Sequence, residues 1–301
     1  MVLLAFAICE IKEPRFLSGD NLRSILLYLP IIAVVAMGQM MVIVSRNIDL
    51  SVGSILALAA IVVGNLYVTH PSMPLPVAML AAMGVGAILG LLNGVLVALL
   101  RVPSIIATLG TLTAYRGLVY LYSDGKQVDR DALLPLVDRG LWWVVAAAVL
   151  VMGLTAAWLR YTRAGRSVFA IGSNPHAASL RGIAVTPVLL TIFTVTGLLS
   201  GLAGLMFAAR FGYVNPVSTG ASMELVVISA VVIGGTNVFG GSGTVVGVLL
   251  GCILLALVNT ALPMLNISAF WQQAFYGAAI LLAAGVDVII QRRAAGRSEL
   301  A

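Results

Sequence analysis

The sequence predicts an all-α, polytopic membrane protein with about ten transmembrane helices, some of them broken. Of its 301 residues, 61% are hydrophobic and 9% are charged, whereas soluble domains are about one-quarter charged. The mean hydropathy is +1.09, and apolar runs long enough to cross a bilayer recur along the chain. A soluble core of this length would need a polar surface, and the chain has too few polar residues to form one. We therefore expect residues 1–301 to form a single transmembrane domain.

The apolar segments give the order of these helices. Residues 1–9 are too short to cross a bilayer, which needs about 20 residues, so we expect a truncated first helix. Residues 221–234 are also short for a full span, and they run into a glycine-rich stretch. The segments predicted to cross or enter the membrane after the first are 24–45, 51–69, 76–100, 104–122, 141–159, 188–209, 221–234, 245–262 and 270–290.

Small residues are concentrated in one of these segments. The span at 76–100 carries Gly84, Gly86, Gly90 and Gly94. Small residues let membrane helices approach closely. This span is therefore predicted to pack tightly against another helix.

Two longer polar segments indicate the orientation. Residues 160–186 carry four arginines and no acidic residue, and short loops rich in Lys and Arg lie in the cytoplasm. Residues 123–140 balance three basic against four acidic side chains, which suits the outer face. Arginines elsewhere then fall on the cytoplasmic side, including the C-terminal ones: Arg46, Arg101, Arg292, Arg293 and Arg297.

The basic loop contains the pattern of a short helix. Asn174 can cap it, Pro175 suits its first turn, and Gly182 can end it. Such a helix could dock into a groove on a soluble partner. The alternative is a solvated loop whose arginines serve orientation alone.

A faint internal repeat links two polar interruptions of apolar runs. Ile43 to Ile55 aligns without gaps on Ile233 to Val245, with three identities and two similar pairs. Paired broken helices at corresponding places in two halves indicate a translocation pathway. A chance alignment is the alternative, because Gly and Val are common here.

Enzyme motifs are absent from the sequence. The stretch GGTNVFGGSGT has no following Lys-Ser/Thr, so it is not a phosphate-binding loop. The two cysteines lie in apolar runs and both histidines in loops, so neither a metal site nor a cofactor is expected. No basic patch interleaved with aromatic residues suggests nucleic acid. We expect no catalytic residues.

Polar residues near or inside the membrane are the informative ones. Arg46 and Asp49 stand three apart, so on a helix they would share a face and could pair. The alternative places them in a cytoplasmic turn. Glu224 either caps the N-terminus of a short helix or lines a pathway, and Arg116 is expected to snorkel. Uncharged groups that could bond a polar solute, or pack helices together, are Asn93, Thr108, Thr111, Asn237 and Asn259.

Four blocks resemble the permease subunits of bacterial ABC importers for ribose and related sugars. They are VIVSRNIDLSVGSILAL, GLLNGVLVALLRVPSIIATLGTLTAYRG, TRAGRSVFAIGSNPHAASLRGI and AVVIGGTNVFGGSGTVVG, in register from about Phe16 to Val288. The resemblance implies an all-helical permease of about ten spans that works as a dimer and has no ATPase of its own. It also implies a separate ATP-binding subunit, a periplasmic sugar-binding protein and a bacterial inner membrane with its lipid.

The resemblance assigns roles to particular residues. It places the coupling loop within residues 160–186, from Gly165 through Gly182. The residues expected to couple to the ATPase are Arg163, Gly165, Arg166, Gly172, Asn174, Ala177, Ala178, Arg181 and Gly182. The candidate residues of the translocation pathway are Arg46, Asn47, Asp49, Asn93, Thr108, Thr111, Glu224 and Asn237.

Two departures from the family pattern indicate a particular group of permeases within the family. Arg46-Asn47 replaces the more usual small residues, and the run LYSDGK follows Tyr115 to Gly117. Both features resemble permeases for rhamnose and for the type-two autoinducer, which commonly pair two different chains. The second permease chain is therefore either the same or paralogous. The alternative function is an ion-coupled secondary transporter, which would need a core carboxylate relay.

Overall fold

The computed structural model describes residues 16, 18–140, 142–268, 271–282 and 285. Within that part of the chain the regular structure is helical, which confirms the all-α prediction. Residues 271–282 form a further helical stretch. The helices are α1 (Gly19–Val44), α2 (Val52–Thr69), α3 (Leu75–Gly94, continued by a π-helix, Val95–Leu99), α4 (Ser104–Ser123), α5 (Arg130–Val137), α6 (Trp142–Tyr161), α7 (Arg163–Ser173), α8 (Pro175–Leu180), α9 (Val185–Phe211), α10 (Met223–Ile233) and α11 (Val245–Met264).

Six of these helices are long and apolar enough to cross a membrane: α1, α2, α3 with its π-helix, α6, α9 and α11. The helix α10 is apolar but shorter. The predicted span at 104–122 is a helix, α4, but it lies outside this set, because it carries Arg116 and three tyrosines. The expected count of about ten crossings is therefore not confirmed, and the first predicted helix, residues 1–9, falls outside the described residues.

The helix α1 lies at the centre of the bundle. Every residue from 30 to 45 is buried, and α1 contacts α6, α9, α10 and α11. A helix that is apolar on all sides is expected where it is surrounded on all sides. The helix α9 completes the core by packing on α1, α2 and α3.

The contact between α3 and α9 is made backbone to backbone. A Cβ atom added at Gly86 would lie 2.1 Å from the carbonyl oxygen of Gly197, and one at Gly197 would lie 2.2 Å from that of Gly86. Gly90 and Gly201 are equally confined, against Phe193 and Ala82. The predicted tight packing of this span is confirmed. Gly84 does not take part, because a Cβ there would meet nothing within 4 Å.

The bundle has two distinct ends. At one end, which we call the basic end, the Arg46 side chain contacts residues of α7, and Ile48 N donates to Ser104 Oγ at the start of α4. The arginines of α6, α7 and α8's C-terminus extend from the same end. At the opposite end, an isolated antiparallel bridge joins Val128 to Val214, and Asn215 Nδ2 donates to Gln127 Oε1 at 3.0 Å.

Candidate functional site

The basic loop contains two helices where the sequence predicted one. Thr162 caps α7, its Oγ1 accepting from Gly165 N at 2.9 Å. The buried residues of α7 are Gly165, Val168, Ile171 and Gly172. Their spacing of three and four residues is that of an amphipathic helix. This spacing is present in the sequence, but Arg163 and Arg166 interrupt the apolar pattern, so the prediction covered only the shorter helix that follows.

The short helix α8 forms as predicted. Asn174 Oδ1 accepts from Ala177 N at 3.0 Å, and Pro175 occupies the first helical position. Gly182 has φ +80° beyond the C-terminus, a conformation that glycine adopts without strain. The local chemistry of a cap, a proline and a glycine was enough to place this helix.

The side chains of α8 divide into a buried and an exposed set. Ala178 is 4% exposed, so it packs against its own chain and is not free to enter a groove on a partner. Of the residues of α8 expected to couple to the ATPase, Ala178 therefore faces its own chain. Leu180 is 76% exposed, and Ala177 and Ser179 are exposed beside it.

The charged side chains of the α7–α8 segment, residues 163–181, are all basic. Arg163, Arg166 and Arg181 are all exposed, and no acidic residue lies between positions 160 and 186. Arg166 donates to the carbonyl oxygen of Arg160 at 3.3 Å. The segment therefore presents an apolar side chain, Leu180, among uncompensated positive charges.

Arg46 and Asp49 do not form the expected pair. The chain between α1 and α2 is not helical, so the three-residue spacing does not place them on a shared face. Arg46 Nη2 donates to Ser173 O at 2.8 Å, and its Nε donates to Gly172 O. Asp49 is buried, and its Oδ1 accepts from Ser51 N and Oγ at 2.9 and 2.7 Å. The two side chains serve different parts of the molecule.

A buried polar network surrounds Asp49. Asn93 Nδ2 donates to Ser51 Oγ at 2.7 Å, and Tyr115 Oη donates to Asn93 Oδ1 at 3.2 Å and Leu89 O at 3.0 Å. The network thus connects the break between α1 and α2 with α3 and α4. Buried polar groups in a membrane need such partners, because lipid offers none.

The remaining uncharged candidates on α4 and before α2 bond to nearby backbone. Thr108 Oγ1 donates to Ser104 O at 2.7 Å, and Thr111 Oγ1 donates to Thr108 O. Asn47 Nδ2 donates to Ser45 O at 2.9 Å. Each of these side chains therefore has a partner in its own helix or turn.

Glu224 and Asn237 lie at the two ends of α10. Glu224 is half-buried in the first turn of α10, as expected for a carboxylate near a helix N-terminus. Asn237 Oδ1 accepts from Phe239 N at 2.8 Å in the turn beyond α10. The candidate pathway residues therefore do not form a single cluster.

Arg116 does not follow the expectation that it snorkels. Its Nη1 donates to Thr219 O at 2.8 Å and to Pro216 O at 3.4 Å, so it ties α4 to the turn before α10.

Both copies of the predicted repeat are helix breaks, and they touch. The first separates α1 from α2, and the second separates α10 from α11. Gly241 N in the second break donates to the carbonyl oxygen of Val44, the last residue of α1 before the first break, at 2.9 Å. The breaks differ in length, at 45–51 and 234–244, so the gapless register of the alignment is not kept. Thr244 ends the second break by accepting from Gly247 N at 3.1 Å.

A cavity of about 370 Å³ lies towards the opposite end, between α1, α9, α10 and α11. Tyr28, Phe207, Arg210 and Tyr213 contribute to its wall. Of its lining residues, Asn259 alone was a candidate from the sequence, because the lining comes from four separate helices and a turn.

Apolar helices interrupted by two contacting breaks define a multi-pass membrane protein with the architecture of a transporter. The family described as the branched-chain amino acid transport system / permease component matches residues 21–284. The chain belongs to this family of permease components.

Relatives agree with this assignment. The chain is 38% identical to the autoinducer 2 import system permease protein LsrC of Enterobacter sp. (strain 638) over 93% of its own length and 82% of the relative's. It is 35% identical to the LsrC protein of Escherichia coli O157:H7, with the same coverage. It is also 35% identical to the ribose import permease protein RbsC of Haemophilus influenzae, over 95% of this chain and 90% of that one. No solved structure matches. These matches do not favour the ion-coupled secondary transporter.

Proposed function

We propose that the chain is the membrane-spanning permease subunit of an ATP-binding-cassette importer. Its solute is a monosaccharide or related polyol of the rhamnose, autoinducer 2 or ribose class, delivered by a periplasmic binding protein. The names of the relatives support the solute class. The observation that carries the coupling role is the exposed, acid-free α7–α8 segment at the basic end.

The subunit acts with several partners. A separate ATP-binding subunit hydrolyses ATP, and a second permease chain, the same or paralogous, completes the pathway. The protein resides in the bacterial inner membrane, with the α7–α8 segment and the C-terminus in the cytoplasm, since the arginines follow the positive-inside pattern. Large exposed apolar side chains such as Leu80 and Leu121 face lipid or the second permease chain.

Coupling needs a rigid contact, because the force of ATP hydrolysis arises in another chain. The helix α8 provides one, since its backbone hydrogen bonds are internal and its N-terminus is capped by Asn174. Leu180 is the apolar anchor of the contact, and Arg163, Arg166 and Arg181 add charge interactions at the rim. Such interactions weaken as salt rises.

The experiment replaces the anchor and a matched leucine elsewhere. Leu180→Glu should insert normally but lose co-purification of the ATP-binding subunit and lose sugar uptake, because a carboxylate would enter an apolar groove. Leu134→Glu is the control, since Leu134 is exposed on the short helix α5 at the opposite end. Uptake by a deletion strain across a panel of radiolabelled sugars gives the readout and identifies the solute. Normal co-purification and uptake by Leu180→Glu would remove α8 from the coupling contact.

A further inference from the structure

Three segments that are far apart in the sequence meet at a single point of the basic end. They are the end of α1 and the start of the first break, Val44 to Arg46, then the second break at Gly240 and Gly241, and the end of α7 at Gly172 and Ser173. Gly241 N donates to Val44 O at 2.9 Å. Arg46 donates through Nε to Gly172 O and through Nη2 to Ser173 O. We call this arrangement the three-way junction.

The three-way junction contains no spare volume. A Cβ added at Gly172 would lie 1.8 Å from Val44 O and 2.5 Å from Gly241 N. A Cβ at Gly241 would lie 2.8 Å from Ser173 Oγ. The three backbones therefore touch directly, and interiors packed at this density transmit displacement. Movement of any one segment must displace the other two.

Arg46 occupies a position where its backbone is strained. Its φ is +65°, in the left-handed region that glycine adopts without cost and other residues avoid. A glycine would relieve this strain, but it would also remove both hydrogen bonds to α7. The two acceptors are carbonyl groups at the C-terminal end of α7, where the helix dipole favours a positive charge. Strain that persists beside a specific contact indicates a functional role for that contact.

We infer that Arg46 is the positioning residue that links the α7–α8 segment to both helix breaks. Asn174 alone separates α7 from α8, so a displacement of α8 reaches Gly172 and Ser173 directly. The guanidinium group carries this displacement to the first break, and the bond from Gly241 to Val44 carries it to the second. The two broken helices therefore change conformation together when the ATP-binding subunit moves α8. This inference rests on the proposed function, since it requires that subunit as the source of movement.

The test follows the second break while the ATP-binding subunit is trapped. Ser242 is exposed within that break, so Ser242→Cys in a background without Cys9 and Cys252 reports its accessibility to a maleimide. The labelling rate is measured in the reconstituted complex with and without ATP and vanadate. Trapping should change the rate several-fold when Arg46 is present. In Arg46→Gly, the change should fall below about twofold, while the ATP-binding subunit still co-purifies and hydrolyses ATP.

Two further variants make the result specific. Arg46→Lys keeps the charge but presents a single ammonium group in place of a planar fork, so it should give a partial response. Arg101→Gly is the matched control, because Arg101 is an exposed arginine at the basic end that also has a positive φ, +57°, and this variant should respond normally. If Arg46→Gly does not assemble with the ATP-binding subunit, the test depends on Arg46→Lys. A trapping response in Arg46→Lys as large as that of the original protein overturns the inference.

The outcomes separate this inference from the proposed function. Failure of the ATP-binding subunit to co-purify with the otherwise native chain contradicts the proposed function. Normal co-purification combined with a full trapping response in Arg46→Gly contradicts only the role of Arg46.

Discussion

Asn93 on α3 connects the break before α2 with α4 through a single side chain. Its amide donates to Ser51 Oγ and accepts from Tyr115 Oη, and all three residues are buried. Replacing Asn93 by Leu preserves volume but removes two buried hydrogen bonds, which together contribute about 1–3 kcal/mol. We expect a lower midpoint of thermal unfolding in detergent for Asn93→Leu.

The control for this prediction lies on α4. Thr113 is exposed and its hydroxyl bonds to carbonyl groups of its own helix, so Thr113→Val should leave the midpoint almost unchanged. Equal shifts in the two variants would mean that the buried network contributes little to stability.

The predicted pairing of Arg46 with Asp49 shows what a local sequence pattern does not predict. The sequence identified both as charges that need a structural reason, and each has one. Their pairing was predicted from helical spacing, and the helix ends at Val44, two residues before Arg46. Arg46 instead donates to the carbonyl groups of Gly172 and Ser173, which lie 126 and 127 positions later in the sequence. A local pattern carries no information about a partner at that separation.

At the scale of elements, the α3–α9 contact depends on glycines that face each other. Gly197→Val would place side-chain atoms against the Gly86 carbonyl, where overpacking is expected to cost about 3 kcal/mol or more. Gly84 takes no part in this contact, and a Cβ atom there would meet nothing within 4 Å, so Gly84→Val places its side chain in open space. The yield of monodisperse protein after solubilisation should fall sharply for Gly197→Val and remain near the original for Gly84→Val. Comparable yields would show that the two helices can separate without loss of the fold.

Helix bounds were predicted well and loop helices less well. The predicted segments from 24–45 to 245–262 each overlap an observed helix, because a long apolar run is the dominant requirement for crossing a membrane. The helix α8 followed from Asn174 and Pro175. The helix α7 was not predicted, because Arg163 and Arg166 in its first turns are equally typical of a cytoplasmic loop.

At the scale of the whole molecule, the orientation in the membrane can be measured directly. Ser179 at the basic end and Asp131 near the opposite end are both exposed. In a cysteine-free background, Ser179→Cys should react with an impermeant maleimide in inside-out vesicles alone, and Asp131→Cys in right-side-out cells alone. The physical reason is the retention of arginine-rich loops in the cytoplasm. Labelling of Ser179→Cys from outside would invert the orientation.

The sequence did not predict which of the candidate residues lie next to each other in the structure. The repeat predicted both breaks, but Val44 and Gly241 meet because α1, α10 and α11 pack together, which no short alignment specifies. Likewise Glu224 and Asn237 looked equivalent as polar candidates, and the length of α10 separates them. Tertiary packing decides which of several similar polar residues become neighbours.

The bridge between Val128 and Val214 has a consequence for chimeric proteins. It joins a loop from the first half of the chain to a loop from the second, and Gln127 and Asn215 reinforce the joint. The two loops therefore form one composite rim. A gene fusion that takes residues 124–129 from one parent and residues 212–219 from another would mismatch the two sides of that rim. In a chimera of two relatives that import different solutes, the rim should remain functional only when both loops come from the same parent.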